Sequence, residues 1–122
     1  MSRQPVQRNS VVLVVEPDEA IRQLFHQWLE DAGYMVCSDS TQPQGQRPAL
    51  LILDAAQPEH VRRSLLARGL DPSTPVLIAS GRFMRGLGAS TATAQRLGAR
   101  RLLPKPFTRE ELLAAVAGSL DP

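Results

Sequence analysis

The chain has 122 residues and a net charge of +2, and 43% of its residues are hydrophobic and 21% charged. These values are typical of one soluble globular domain that is large enough to bury its own core. No apolar run is long enough to cross a bilayer, no signal-peptide pattern is present, and one cysteine cannot form an internal disulfide. We therefore expect a cytoplasmic protein, with a flexible polar tail over 1–9 and a single domain over 10–122.

The chain begins with a strand and a helix. The β-branched run Val11 to Val15 predicts a buried strand. Pro17 ends that strand, and Asp18 is placed to cap the next helix. Apolar residues at helical spacing from Ile21 to Ala32, Leu24 among them, predict one buried stripe on this helix.

A polar segment follows the short second strand expected at 34–37. Residues 38–48 contain two prolines and a glycine and show no apolar period, so we predict that a helix here is short or missing. The segment is long enough to cross over the first strand without a helix. The sheet face beneath it would then be thinly covered, and we expect a partner or a second copy of the chain to cover it.

The second half continues the alternation of strands and helices. Ala49 to Leu53 predicts a strand buried on both faces, and Pro58 to Arg68 predicts a helix with Val61, Leu65 and Leu66 inward.

Two further strands are expected at 76–79 and 101–103, separated by a weak helix over Arg82 to Leu97. Gly86 and Gly88 disfavour its first half, so a start near Ser90 is the alternative. Thr108 and Glu111 form a capping box for the last helix. Five strands alternating with helices indicate an α/β fold with a doubly wound parallel sheet.

Four polar side chains follow the ends of different strands. Glu16 follows the first strand, Asp54 the third, Ser80 the fourth and Lys105 the fifth. In such sheets the carboxyl ends of the strands form the ligand-binding edge. Two acids, a hydroxyl and a cation could hold a divalent cation, an anionic group or both. Lys105 is the only lysine among 14 basic residues, which makes its place at this edge informative.

Four segments in this order resemble the receiver domain of bacterial response regulators. They read VVLVVEPDEAIR, ALLILD, PVLIASG and LPKPFTREEL. The resemblance runs from Val11 to the last helix and implies a flavodoxin-like sheet with strand order 2-1-3-4-5. It also implies a signalling domain of a phosphorelay rather than a conventional enzyme, with autophosphatase activity at most.

The resemblance assigns a role to each residue at the carboxyl edge. Asp54 would be the phospho-acceptor, Ser80 would hold the hydroxyl position, and Lys105 would contact the phosphoryl group. The peptide before Pro106 is expected to be cis. A histidine kinase or phosphotransfer protein would supply the phosphoryl group, and a downstream protein partner would respond to it.

The resemblance also implies a magnesium site, and here the sequence departs from the family. Its expected ligands are Glu16, Asp54 and the backbone carbonyl of Ala56. Pro17 stands where the family has a second acid, and Asp18, one residue later, is the alternative ligand. Leu102 replaces the family's switch aromatic on the fifth strand.

These departures leave a second interpretation open. The chain could be a pseudo-receiver, a module for protein interaction or dimerisation that is never phosphorylated. Direct binding to nucleic acid is not expected, because the arginines are scattered over several elements. A flavin-binding flavodoxin is disfavoured, because no phosphate-binding loop rich in Ser, Thr and Gly follows the first strand.

Overall fold

The computed structural model describes residues 11–38, 47–55, 57–81 and 91–120. Within these ranges lie five strands and four helices. In order, they are β1 (Val11–Val15), α1 (Glu19–Asp31), β2 (Met35–Ser38), β3 (Leu50–Leu53), α2 (Pro58–Ala67), β4 (Val76–Ser80), α3 (Thr91–Arg96), β5 (Arg101–Pro104) and α4 (Arg109–Leu120).

All five strands form one parallel sheet in the order β2-β1-β3-β4-β5. The predicted fold class and strand order are thus confirmed. Because every strand runs the same way, the residues that follow β1, β3, β4 and β5 lie along one edge of the sheet. The amino ends of the strands form the opposite edge.

The core has two layers, one on each face of the sheet, because successive side chains of a strand point to opposite faces. Val12 and Val14 face α1 and α4, in a layer that includes Phe25 and Val116. Leu13 belongs to the other layer, which α2 and α3 complete. Burial on both faces explains the continuous apolar sequences of β1, β3 and β4.

Predicted capping residues determine where two helices begin. Asp18 Oδ1 accepts a hydrogen bond of 3.1 Å from the Ile21 N–H at the start of α1. At the start of α4, Thr108 and Glu111 exchange reciprocal bonds of 2.9 and 3.1 Å, which form the capping box. Each cap satisfies backbone donors that have no partner within the helix.

Two predicted core positions are wrong. Leu66 was expected to point inward but is 64% exposed, whereas its neighbour Leu65 is buried. Leu24 on α1 is 38% exposed, although Phe25 and Leu29 on the same stripe are fully buried. Each residue lies at the edge of its stripe, where the sheet no longer covers the helix.

Some expectations fall outside the described residues. The flexible tail over 1–9 does so, and so does most of the predicted crossover, residues 39–46. The short or missing second helix therefore stays a prediction. No helix in the described part of the chain has the length and apolar character needed to span a membrane.

Candidate functional site

The carboxyl edge of the sheet brings Glu16, Asp54 and Lys105 together, as the sequence predicts. The Lys105 ammonium lies 2.8 Å from Glu16 Oε1 and 3.8 Å from Asp54 Oδ2. Three strands that are far apart in sequence thus contribute one charged cluster. Two carboxylates and one ammonium give this cluster a net negative charge.

The loop after β5 fixes the position of Lys105. The Lys105 N–H donates a hydrogen bond of 3.0 Å to the Ser80 carbonyl at the end of β4. The Lys105–Pro106 peptide is cis, as expected. Phe107 then packs against α1, with its ring centroid 5.4 Å from that of Phe25 and 6.2 Å from that of Trp28. Aromatic packing on one side and a backbone bond on the other hold this loop in place.

Glu16 is buried and held from several sides. Its side chain is 3% exposed. Oε1 pairs with Lys105, and Oε2 accepts a hydrogen bond of 3.0 Å from the Asp18 N–H. Its carbonyl oxygen accepts a bond of 2.7 Å from the Arg22 guanidinium. A buried carboxylate needs such partners to offset its desolvation.

Asp54 and Ser80 differ strongly in their access to solvent. Asp54 directly follows β3, and its side chain is 35% exposed. Ser80 is the last residue of the neighbouring β4 and is 1% exposed. The pairing of Leu53 with Ile78 places both residues at adjacent strand ends. A reactant in solvent could therefore reach the Asp54 carboxylate directly, whereas Ser80 lies beneath the surface.

Two bacterial regulators align with most of this chain. It is 33% identical over 119 residues to response regulator MprA of Mycobacterium tuberculosis. It is 32% identical over 120 residues to the DNA-binding transcriptional regulator NtrC of a Bradyrhizobium strain. Each alignment covers 89% of this chain but only 50% of MprA and 24% of NtrC. The chain thus spans half the length of the first relative and about a quarter of the second. No protein-family model matches the chain.

Solved structures agree with these sequence relatives. The Vibrio cholerae chemotaxis protein CheY4 superposes with a TM-score of 0.69 and 25% identity, over 91% of this chain and 98% of that chain. This chain is a response regulator receiver domain. A receiver protein from Burkholderia phymatum, 23% identical, shares the fold with a TM-score of 0.66, over 92% of this chain and 95% of that chain. Receiver domains are signalling modules of two-component systems and are not conventional enzymes.

Receiver domains of this fold generally bind Mg²⁺ at the phosphorylation site, but the acidic residues of this chain do not fit that role as arranged. Both Glu16 oxygens already have partners, and Asp18 Oδ1 caps α1. Ala56 lies outside the described residues. Across the described ranges, no three His, Cys, Asp or Glu side chains come together as a metal site. Asp54 is the one acid of the three that faces solvent without such a structural role.

The sequence interpretation missed two residues that shape the site. Arg22 binds the Glu16 carbonyl, and Phe107 anchors the loop that carries Lys105. Arg22 carried a signal, because a cation in the first turns of a helix opposes the helix dipole and so suggests a specific partner. Phe107 carried an apolar signal directly before the capping box of the last helix, and its ring packs against Phe25 and Trp28 of α1.

Proposed function

We propose that this receiver domain accepts a phosphoryl group on Asp54 from a phosphohistidine of a histidine kinase or phosphotransfer protein. The observation that carries the proposal is the position of Asp54, exposed at the end of a buried strand and 3.8 Å from the Lys105 ammonium. An aspartate nucleophile needs access to its donor and a nearby positive charge. Asp54 has both.

The proposed step uses groups that the chain itself supplies. An Asp54 oxygen attacks phosphorus, the bond from phosphorus to the donor imidazole breaks, and the released nitrogen takes up a proton. Lys105 offsets the charge on the phosphoryl oxygens. Ser80 supplies a hydroxyl at the adjacent strand end once that end opens to solvent. Attack by water on the acyl phosphate would later return Asp54 to its free form, which is the autophosphatase reaction.

Phosphorylation would then switch a downstream protein partner. In the free domain Lys105 lies closer to Glu16 than to Asp54. A phosphoryl group on Asp54 adds negative charge and draws Lys105 toward it, because the attraction between charges rises as they approach. The loop that carries Lys105 packs on α1, so its movement would change the surface offered to a partner. The proposed location is cytoplasmic, and DNA binding is not part of the proposal for this domain.

A second candidate function is a pseudo-receiver that binds a protein partner or a second copy of itself without being phosphorylated. One observation favours it: two of the three groups used in the proposed step are engaged or buried. Lys105 pairs with Glu16 at 2.8 Å, and Ser80 is 1% exposed. The first candidate requires both groups to turn toward Asp54, and the second requires no such change.

Intact mass spectrometry after incubation with a small phosphodonor separates the two candidates. We expect one added phosphoryl group on the wild type and none on Asp54→Asn. Asp71→Asn is the matched control, because Asp71 is an exposed acid that lies outside the site, and this variant should react like the wild type. An unmodified wild type would overturn the proposal in favour of the pseudo-receiver.

A further inference from the structure

The Lys105 ammonium occupies the space between the two carboxylates of the site. It lies 2.8 Å from Glu16 Oε1 and 3.8 Å from Asp54 Oδ2, and its side chain is 16% exposed. A divalent cation that joined these two acids would have to lie in the same region, because bound Mg²⁺ and Ca²⁺ contact their oxygen ligands at about 2.0–2.6 Å. The ammonium and the metal therefore compete for one position.

Glu16 is poorly suited to leave this arrangement. Lys105 neutralises one of its oxygens, the Asp18 N–H binds the other, and the side chain is 3% exposed. To bind a metal, Glu16 would have to lose its ion pair with Lys105 while its carboxylate stays buried away from water. Removing one partner of a buried ion pair is costly.

The rest of the loop after β1 does not compensate. Pro17 has no side-chain donor to a metal, and Asp18 Oδ1 is engaged by the Ile21 N–H at the start of α1. Mg²⁺ demands nearly ideal octahedral geometry and gives up its water reluctantly. A single exposed carboxylate, that of Asp54, offers it little advantage over bulk water.

We propose that Lys105, positioned by Glu16, takes the place of the divalent cation beside Asp54. The site then has little affinity for Mg²⁺, and phosphorylation of Asp54 does not depend on this ion. Glu16 acts as a positioning residue for the lysine rather than as a metal ligand. The statement on affinity concerns the free protein, while the statement on phosphorylation rests on the proposed function.

Electron paramagnetic resonance of Mn²⁺ tests the affinity directly, because the free ion gives a signal that is lost on binding. We expect no saturable binding to the wild type at millimolar ion. Lys105→Met leaves two carboxylates without their cation, so its affinity should rise on the order of tenfold or more. Lys105→Arg keeps the positive charge and should bind as weakly as the wild type.

Two outcomes would overturn the proposal. One is saturable binding of Mn²⁺ to the wild type at millimolar ion or below, and the other is a folded Lys105→Met protein with no gain in affinity. Circular dichroism shows whether the variant is folded, and Lys105→Gln replaces it if it is not. Adding Glu16→Gln to either variant should abolish the gain, because only one carboxylate then remains.

A phosphorylation assay tests the second part. The wild type is incubated with the small phosphodonor in Mg²⁺ or in EDTA, and the rates of adduct formation are compared by mass spectrometry. We expect rates in EDTA and Mg²⁺ that agree within about twofold, a free-energy difference well below that of a lost metal ligand. A strict requirement for Mg²⁺ would overturn the proposal. If no adduct forms in either condition, the proposed function fails, and the Mn²⁺ titration still decides the affinity.

Discussion

The two edges of the sheet use carboxylates in different ways. At the carboxyl edge, Lys105 reaches Glu16 and Asp54 from a different strand end, and the Asp54 side chain stays 35% exposed. At the amino edge, Asp71 is held by its own turn: the Ser73 N–H and hydroxyl donate bonds of 2.8 and 2.7 Å to Asp71 Oδ1. An acid bonded within its own turn stabilises a loop. A solvent-accessible acid beside a cation from a distant part of the sequence is available for chemistry.

The amino edge also has a cavity, of about 360 Å³, between Arg47 and the segment 69–75. Its acid, Asp71, is bound to Ser73, and its cation, Arg47, contributes less than Ser73 to lowering the pKa of that carboxyl. Size alone would draw attention to this cavity. The arrangement of charges instead favours the carboxyl edge as the site of function.

Removing the shared cation should have the largest effect on stability. Lys105→Met leaves the buried Glu16 carboxylate without its counter-ion, so we expect the free energy of unfolding to fall by about 3 kcal/mol. Urea unfolding at neutral pH measures this as a lower midpoint at constant slope.

Two variants control this measurement. Lys105→Arg keeps the charge and should lose much less stability than Lys105→Met. The double variant Glu16→Gln, Lys105→Met should be more stable than Lys105→Met alone, since no buried charge remains unpaired. If Lys105→Met unfolds at the wild-type midpoint, the ion pair is not important for the fold, and the contrast between the two edges is weaker than we propose.

A smaller effect is expected at Asp18, the acid of the carboxyl edge that resembles Asp71 in having a local partner. Asp18→Ala removes the cap from the Ile21 N–H and should lower the free energy of unfolding by about 1 kcal/mol. Asp18→Asn keeps an acceptor oxygen and should differ little from the wild type. If Asp18→Asn is as unstable as Asp18→Ala, the charge of Asp18 matters, and its assignment as a simple cap is wrong.

β1, β3 and β4 could be predicted because burial on both faces leaves an unbroken apolar sequence, whereas the strand order was implied by the resemblance to receiver domains. The bounds of β1 are as predicted, and those of the other strands differ by one residue, as for β2, which begins at Met35 rather than Tyr34. Leu66 shows that helical spacing alone does not identify every buried residue. Helical spacing marks a stripe, but its width depends on the neighbouring elements, and Leu66 lies beyond their cover.

The candidate site could be predicted only at the level of the sheet edge. Chain order places Glu16, Asp54 and Lys105 at one edge whatever their side chains do. The distances from Lys105 to Glu16 and to Asp54 differ by about an ångström. Which acid lies closer depends on the positions of the loops after β1 and β5, and the sequence does not specify these directly. The packing of Phe107 on α1 and the hydrogen bond from Asp18 to Glu16 decide the matter, and both come from the assembled structure.

The smallest expected effect is the pH dependence of the amino edge. Hydrogen bonds from the Ser73 hydroxyl and N–H, with a lesser contribution from Arg47, lower the pKa of the Asp71 carboxyl in the folded protein. Because the pKa is lower in the folded than in the unfolded chain, this stabilisation is complete above the ordinary value of about 4. It is lost as the pH falls through the lowered value.

We therefore expect the stability advantage of the wild type over Asp71→Asn to shrink as the pH falls below about 4, with urea unfolding as the measurement. Ser73→Ala removes the hydroxyl that contributes most, so the pKa of Asp71, followed by nuclear magnetic resonance, should rise toward its ordinary value. A wild-type Asp71 that already titrates at the ordinary value would show that its local bonds do not hold the carboxylate. The amino edge would then have an exposed acid as available as Asp54, and local hydrogen bonding would no longer distinguish the two edges.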